Sequence, residues 1–142
     1  MAKDLFHDIV KIALEKEGWT ITHDPYELKL DDLDLFTSKL KIDLGAEKML
    51  AAEKGTEKIA VEIKTLSGPS LIYEVHALLG QYLNYQLGID IQEPDRVLYA
   101  AIPEKAYHIL APQGFIQMMI AKYKVHLIVY DQTLQIITHW VT

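Results

Sequence analysis

Charged residues interrupt two short apolar segments near the middle of the chain, in the stretch IDLGAEKMLAAEKGTEKIAVEIK at residues 42–64. Asp43 ends one apolar segment, and Glu62-Ile63-Lys64 ends another further along. If neighbouring strands bring these positions together, two carboxylates and the main-chain carbonyl of Ile63 supply the oxygen ligands that Mg²⁺ prefers. Such an ion lowers the pKa of a bound water, and Lys64 would orient that water or stabilise charge on a phosphate. The spacing therefore indicates metal-assisted hydrolysis of a phosphodiester.

A β-hairpin is predicted to hold the second half of this set. Residues 47–54 and 57–66 have strand patterns and are joined by Gly55-Thr56, a two-residue loop typical of a type II′ turn. A further strand is predicted around residues 40–42. The hairpin register places opposite charges across from each other. The predicted pairs are Lys54–Glu57, Glu53–Lys58, Met49–Glu62 and Glu47–Lys64. Glu47 then shares a face with Glu62 and Lys64, as a further metal ligand or as the partner that holds Lys64.

The rest of the chain alternates between helical and β-type patterns. The predicted elements are a helix over residues 3–17, a strand over 19–22, a helix over 71–87, a strand over 96–101, a helical stretch over 103–124 interrupted at 111–114, and a final hairpin from 125–130 and 134–141. The apolar face of the first helix is predicted to consist of Leu5, Ile9, Val10, Ile12 and Ala13. The order αβββαβαββ predicts one α/β domain over residues 1–142, with a mixed central sheet flanked by helices.

Three further side chains are candidates for the same site. Gln81 and Tyr85 lie on one stripe of the predicted helix over residues 71–87 and are expected to point toward the metal or a phosphate. Alternatively, Tyr85 belongs to the core and Gln81 to its boundary. His7 either projects from the first helix toward the site or is an ordinary surface histidine. The six histidines of the chain show no spacing typical of a zinc site.

The Glu-x-Lys triplet also has a simpler interpretation. The chain contains a second such triplet, Glu27-Leu28-Lys29, outside any predicted central strand. Residues 57–66 could therefore form a half-exposed strand whose polar face meets water, with Lys64 merely paired to Glu47.

The composition restricts the class of protein. With 142 residues, half of them hydrophobic, the chain can form one core, and its lack of cysteine fits a cytoplasmic protein. We expect no membrane span and no signal peptide. The net charge of −6 argues against binding nucleic acid by neutralising its backbone, unless metal ions or a partner protein supply positive charge.

Several segments together carry a family resemblance. In chain order, KDLFHD, GWTITHDP, IDLGAEKMLAAEK, KIAVEIK, GPS, LGQY and EPDRVLY resemble the XisH family, the fdxN element excision controlling factors. The resemblance implies a cyanobacterial protein with a restriction-endonuclease-like, PD-(D/E)xK fold. It also implies a role in programmed excision of a DNA element during heterocyst differentiation, beside a site-specific recombinase and a companion protein, XisI.

The resemblance also assigns site residues. By position, the nuclease motif falls on Asp43, Glu62 and Lys64, and the pair Gln81 and Tyr85 resembles the additional Gln-x-x-x-Tyr motif of RecB-type nucleases. Active proteins with these motifs bind Mg²⁺ or Mn²⁺. This makes Gln81 a candidate catalytic residue beside the motif.

Three functions follow as alternatives. The first is a metal-dependent DNA endonuclease. The second is a catalytically silent regulatory subunit of nuclease fold that binds XisI or the recombinase, which the acidic charge favours. The third is an antitoxin-like or defence-linked module. A homodimer is expected in which the apolar C-terminal strands, residues 125–130 and 134–141, supply an edge.

Overall fold

The computed structural model describes residues 2–28 and 49–142 of the chain, with side chains from residue 5 onward. The described elements, in chain order, are α1 (Ala2–Lys16), β1 (Thr20–His23), β2 (Met49–Lys54), β3 (Glu57–Ile63), α2 (Leu71–Gln92), β4 (Val97–Pro103), α3 (Glu104–Leu110), α4 (Gly114–Tyr123), β5 (Leu127–Asp131) and β6 (Ile136–Val141). Within these residues six strands form one sheet in the order β1 to β6. The predicted α/β domain with a mixed sheet flanked by helices is confirmed.

The β2–β3 hairpin has the register that its charges predict. Lys54 lies opposite Glu57, Glu53 opposite Lys58, and Met49 opposite Glu62. Gly55 adopts φ +60°, a conformation that glycine reaches without a steric penalty. The predicted Glu47–Lys64 pair and the strand expected at residues 40–42 lie outside the described residues.

The direction of strand pairing determines where the helices lie. β3 pairs with β4 and β4 with β5 in parallel, whereas the other neighbouring strands are antiparallel. Two successive right-handed crossovers that advance in one direction must place their helices on the same face of the sheet. The core agrees, because α2, α3 and α4 contribute to one buried cluster and α1 to the other. We call these clusters the α2-side core and the α1-side core.

Two sequence predictions about the helices need correction. Helix α2 continues past residue 87 to Gln92, and its C-terminal cap, Glu93, has φ −146°. The residue before a proline is disfavoured in helical conformation, so Pro94 gives the stop signal. In α1, Leu5 and Ile12 are exposed, although the helical spacing predicts both on the apolar face. The buried arc of α1 instead includes Leu14, and Leu5 and Ile12 lie at its margin.

A buried arginine joins three parts of the fold. Arg96, 3% exposed, donates through Nη1 to the Ile59 carbonyl at 3.0 Å and through Nε and Nη2 to the Glu93 carboxylate at 3.2 and 3.1 Å. The hydroxyl of Tyr26 donates to the same carboxylate at 2.8 Å, and the tyrosine ring lies 5.0 Å from the guanidinium. Burial acts to raise the pKa of Glu93, but the hydrogen bonds from Arg96 and Tyr26 outweigh it and lower that pKa. The network anchors β3, the end of α2 and the segment after β1.

The described helices provide no membrane span. None of them combines the length and the apolar character that crossing a bilayer requires.

We predict that Arg96→Met lowers the free energy of unfolding by about 3 kcal/mol, because it removes the donor to a buried carbonyl and the cation beside a half-buried carboxylate. Urea denaturation at neutral pH measures the change. Lys58→Met is the matched control, since Lys58 reaches Glu93 and Asp95 only at 4.0 and 3.6 Å from a side chain that is 36% exposed. Its expected cost is below about 1 kcal/mol. Equal costs for the two variants would contradict a buried anchor at Arg96.

Candidate functional site

Glu62 lies on the face of β3 that is covered by α2. Side chains alternate along the strand, so Ile59 and Val61 enter the α1-side core while Ala60 enters the α2-side core. Glu62 follows Ala60 by two residues and is only 1% exposed. The interpretation of this strand as half-exposed, with a polar face in water, is therefore wrong for Glu62. A carboxylate in such a place requires compensating partners.

Lys64 supplies a cation to this buried carboxylate. It directly follows the last residue of β3, and its backbone N–H donates to the Ala101 carbonyl at 2.9 Å, which continues the pairing with β4. Its Nζ lies 3.2 Å from Glu62 Oε1, and it also donates to the side-chain oxygen of Gln81. The Lys64 side chain is 20% exposed, so one part of the group reaches the surface. We call these three residues the Glu62–Lys64–Gln81 cluster.

Two hydrogen bonds fix the start of α2, the helix that carries Gln81. The Ser70 hydroxyl accepts from the Tyr73 backbone N–H at 3.3 Å, which caps the helix. One turn further, the Glu74 carboxylate accepts from the Gly68 backbone N–H at 2.6 Å and anchors the connection from β3. These two bonds fix the first turn of the helix that carries Gln81.

Tyr85 lies in the core, as the alternative interpretation of this residue predicts. It is 3% exposed and belongs to the α2-side core, whereas Gln81, one turn earlier, is exposed and reaches Lys64. The two residues of the Gln-x-x-x-Tyr pair thus occupy different environments. A supporting role for Tyr85 in the site stays a prediction.

Sequence reasoning missed the neighbouring Tyr82. Its hydroxyl donates toward the Leu98 and Lys124 carbonyls at 3.1 and 3.4 Å and accepts from the His126 backbone N–H at 3.0 Å. Burial is the main reason that the pKa of Tyr82 is raised to about 12, so the hydroxyl stays neutral. The sequence does place a tyrosine among the apolar positions of α2. A buried tyrosine needs a partner for its hydroxyl, so this position could have indicated a hydrogen bond to a neighbouring element.

His7 lies in a different cluster, at the end of β1. Its Nε2 is 2.6 Å from Asp24 Oδ1, and Lys11 Nζ is 3.0 Å from Asp24 Oδ2. Burial acts to raise the pKa of Asp24, but hydrogen bonds and charge from Lys11 and His7 outweigh it and lower that pKa. α1 belongs to the core opposite the one beside Glu62. A supporting role for His7 at Glu62 stays a prediction.

Only two of the four proposed metal ligands, Glu62 and Ile63, lie in the described part of the chain. Asp43 and Glu47 lie outside the described residues, and the described side chains of residues 5–28 and 49–142 contain no group of three or more acidic, histidine or cysteine residues that could hold an ion. Glu62 and the main-chain carbonyl of Ile63 are both oxygen donors, which suits Mg²⁺ or Mn²⁺ and does not suit a soft metal. The donor chemistry therefore fits a hard divalent ion, with Asp43 and Glu47 as the further ligands predicted from the sequence.

Comparison with known proteins gives a consistent result. Residues 1–138 match the family model described as XisH protein. An XisH family protein from Nostoc punctiforme PCC 73102 is 38% identical, with a TM-score of 0.83 over 98% of this chain and 100% of that one. An fdxN element excision controlling factor protein from Anabaena variabilis is 36% identical, also with a TM-score of 0.83, over 98% and 99% of the two chains. No curated protein matches the sequence.

We predict that Lys64→Met lowers the free energy of unfolding by about 3 kcal/mol, because it removes the cation beside a buried carboxylate. In the Glu62→Gln background the same substitution should cost less than about 1 kcal/mol, since no charge then needs compensation. Urea denaturation of the four proteins in this double-mutant cycle measures the coupling. An identical cost of Lys64→Met in both backgrounds would show that the two side chains are not coupled.

Proposed function

The chain belongs to the XisH family, and from that membership and the Glu62–Lys64–Gln81 cluster we propose that it controls excision of a DNA element through a nuclease-like, Mg²⁺- or Mn²⁺-dependent site. The Anabaena variabilis relative is described as an fdxN element excision controlling factor. The proposal includes a restriction-endonuclease-like, PD-(D/E)xK relationship for the fold. Its partners would be DNA, a site-specific recombinase and an XisI-like companion protein.

The burial of Glu62 carries the proposal. A carboxylate that is 1% exposed, at the end of a central strand, costs free energy that a hydrophobic residue in the same place would not. The ion pair with Lys64 reduces this cost, yet replacing buried ion pairs by apolar residues is often neutral or stabilising. Ionisable groups kept in such positions are candidates for functional sites.

Each residue of the proposed site has a distinct role. Glu62, the Ile63 carbonyl, Asp43 and Glu47 would hold the ion. When bound, the ion would lower the pKa of a water molecule and neutralise charge on the phosphate. Lys64 would orient that water or stabilise charge on the phosphate. Gln81, whose side-chain oxygen accepts from Lys64, would position the ammonium group and keep it close to Glu62.

We predict saturable binding of Mn²⁺ to the parent protein, weakened by about 10-fold to 100-fold in Glu62→Gln. Titration calorimetry measures the affinity, and glutamine preserves the size of the side chain. Glu53→Gln is the matched control, because this acid lies on the same hairpin opposite Lys58, remote from the cluster in the register. The proposed ion site is wrong if the parent binds no Mn²⁺, or if both variants bind it as tightly as the parent.

We also predict Mn²⁺-dependent nicking or cutting of duplex or branched DNA, reduced about 100-fold or more by Lys64→Met. Gln81→Ala should give a smaller reduction, because it removes the group that positions Lys64 and leaves the ammonium itself in place. Gel assays with supercoiled plasmid and synthetic branched substrates measure the rates. Cleavage that persists unchanged in both Glu62→Gln and Lys64→Met would come from a contaminating nuclease and would contradict the proposal.

A second candidate function is favoured by the charge of the chain. A net charge of −6 opposes contact with a polyanion, so a regulatory subunit that acts through the recombinase or the companion protein is the alternative. Both functions can use the same fold, but they differ in outcome. The regulatory function predicts stable co-purification with the companion protein and no cleavage by the complex.

A further inference from the structure

The outer face of α2 is apolar and exposed. Ile72, Tyr73, Leu83, Leu87 and Ile91 are 49%, 72%, 41%, 62% and 42% exposed. At 100° per residue these positions fall within about one third of the helix circumference, opposite the face that enters the α2-side core. A helix that is apolar on both sides is typical of one that is covered on both sides. We call these five residues the outer face of α2.

Charge is nearly absent along this helix. Its 22 residues contain no lysine or arginine, and its carboxylates are those of Glu74 and Asp90. Both accept hydrogen bonds within the chain, Glu74 from the Gly68 N–H at 2.6 Å and Asp90 from Gln86 Nε2 at 2.8 Å. The rest of the chain is rich in charge, so α2 differs from an ordinary solvated surface helix.

Gly80 lies near the middle of the outer face. A Cβ atom built on Gly80 would meet no atom within 4 Å, so the glycine is not required by packing within the chain. Glycine in the middle of a helix is destabilising by roughly 0.5–1 kcal/mol relative to alanine. The position is therefore a shallow gap that a large side chain from outside can fill.

From this pattern we propose that two copies of the chain associate through α2, antiparallel about a two-fold axis between Gly80 and Leu83. Such an interface is isologous, so each position must suit its symmetry mate. In this register Gly80 of one copy faces Leu83 of the other, which places a large side chain against the gap. Of the remaining pairs, Ile72 faces Ile91, His76 faces Leu87, and Tyr73 faces Asp90. The carboxylates of Asp90 in the two copies are then at opposite ends of the interface.

The available area is consistent with a pair of this kind. With about 200 Å² for a large side chain, the five exposed fractions amount to roughly 500 Å² per copy. Exposed His76 lies within the same face, exposed Ala77 and Asn84 border it, and all three add to this area. A standard interface buries about 800 Å² per partner. The largest contiguous apolar patch on a typical monomer is about 300–600 Å² and is often functional.

This pairing would bring two candidate sites together. Gln81 is level with the proposed axis along the helix in each copy, on the flank of the interface, and bonds Lys64 of its own cluster. The two Glu62–Lys64–Gln81 clusters would then lie on the two sides of one interface, an arrangement suited to the two strands of a duplex. The pairing itself does not depend on metal binding or cleavage, so its test is separate from that of the proposed function.

The oligomeric state of the full chain and two variants provides the first test. Sedimentation equilibrium over micromolar concentrations should give a dimer for the parent, and Leu87→Glu should raise its dissociation constant by about tenfold or more. Leu134→Glu is the matched control and should leave the dimer intact, since Leu134 is 61% exposed in the turn before β6. A monomeric parent, or a dimer that Leu134→Glu disrupts and Leu87→Glu does not, would overturn the proposal.

The register has its own test, because the chain has no native cysteine. Ile72→Cys and Ile91→Cys variants are mixed, one of them carrying an affinity tag, and treated with a short bis-maleimide. The antiparallel pairing predicts cross-linked mixed dimers and few cross-links within either variant alone. Gly80→Leu should fold normally, as judged by thermal unfolding, yet dimerise more weakly. Preferential cross-linking of either variant to itself, or an unaffected Gly80→Leu dimer, would show that α2 is covered by something else.

Discussion

The parallel pairing of β3 with β4 is the constraint on which the candidate site depends. Parallel neighbours require a crossover, and a right-handed crossover leaves one face of the sheet for α2. That face carries Ala60 and then Glu62, so the helix that completes the connection also excludes water from the carboxylate. The same crossover brings Gln81 to Lys64. Topology, rather than any local preference of the strand, therefore assembles the cluster.

The buried carboxylate of Glu62 lowers the stability of the fold relative to an apolar residue in the same place. Around Glu62, the sheet is lined by alanine, methionine and leucine side chains that are fully buried, and a carboxylate among them is the exception. Departures from an apolar lining of this kind tend to occur at functional sites. The Arg96 network differs, because its charged groups are fully engaged in hydrogen bonds that connect β3, the end of α2 and Tyr26. One charged cluster thus serves to anchor elements, while the other pairs a buried carboxylate with a lysine that partly reaches the surface.

The sequence predicted those features that depend on local patterns. Charge pairs across Gly55-Thr56 gave the β2–β3 register, because cross-strand neighbours are determined once the loop length is known. The burial of Glu62 could not be predicted in this way, since the alternation that points it away from Val61 fits an exposed face equally well. Only the position of α2, which follows from long-range strand pairing, decides whether this face of β3 is buried or exposed. Arg96 was missed for a similar reason, because its partners at Ile59 and Tyr26 are distant in the chain.

Helix α2 meets two requirements at once, and its composition reflects both. Its inner side must fill the space above the sheet, where Tyr82 also supplies a hydroxyl to the backbone groups of β4 and of the turn before β5. Its outer side carries large apolar residues with a glycine among them, although solvent exposure alone would favour lysine and glutamate there. Gln81 lies at the border between the two sides, where it can reach Lys64 without entering the core. The same helix therefore carries a member of the cluster and the exposed apolar residues of the outer face. The two requirements fall on different sides of α2, so one helix can meet both without a compromise in its packing on the sheet.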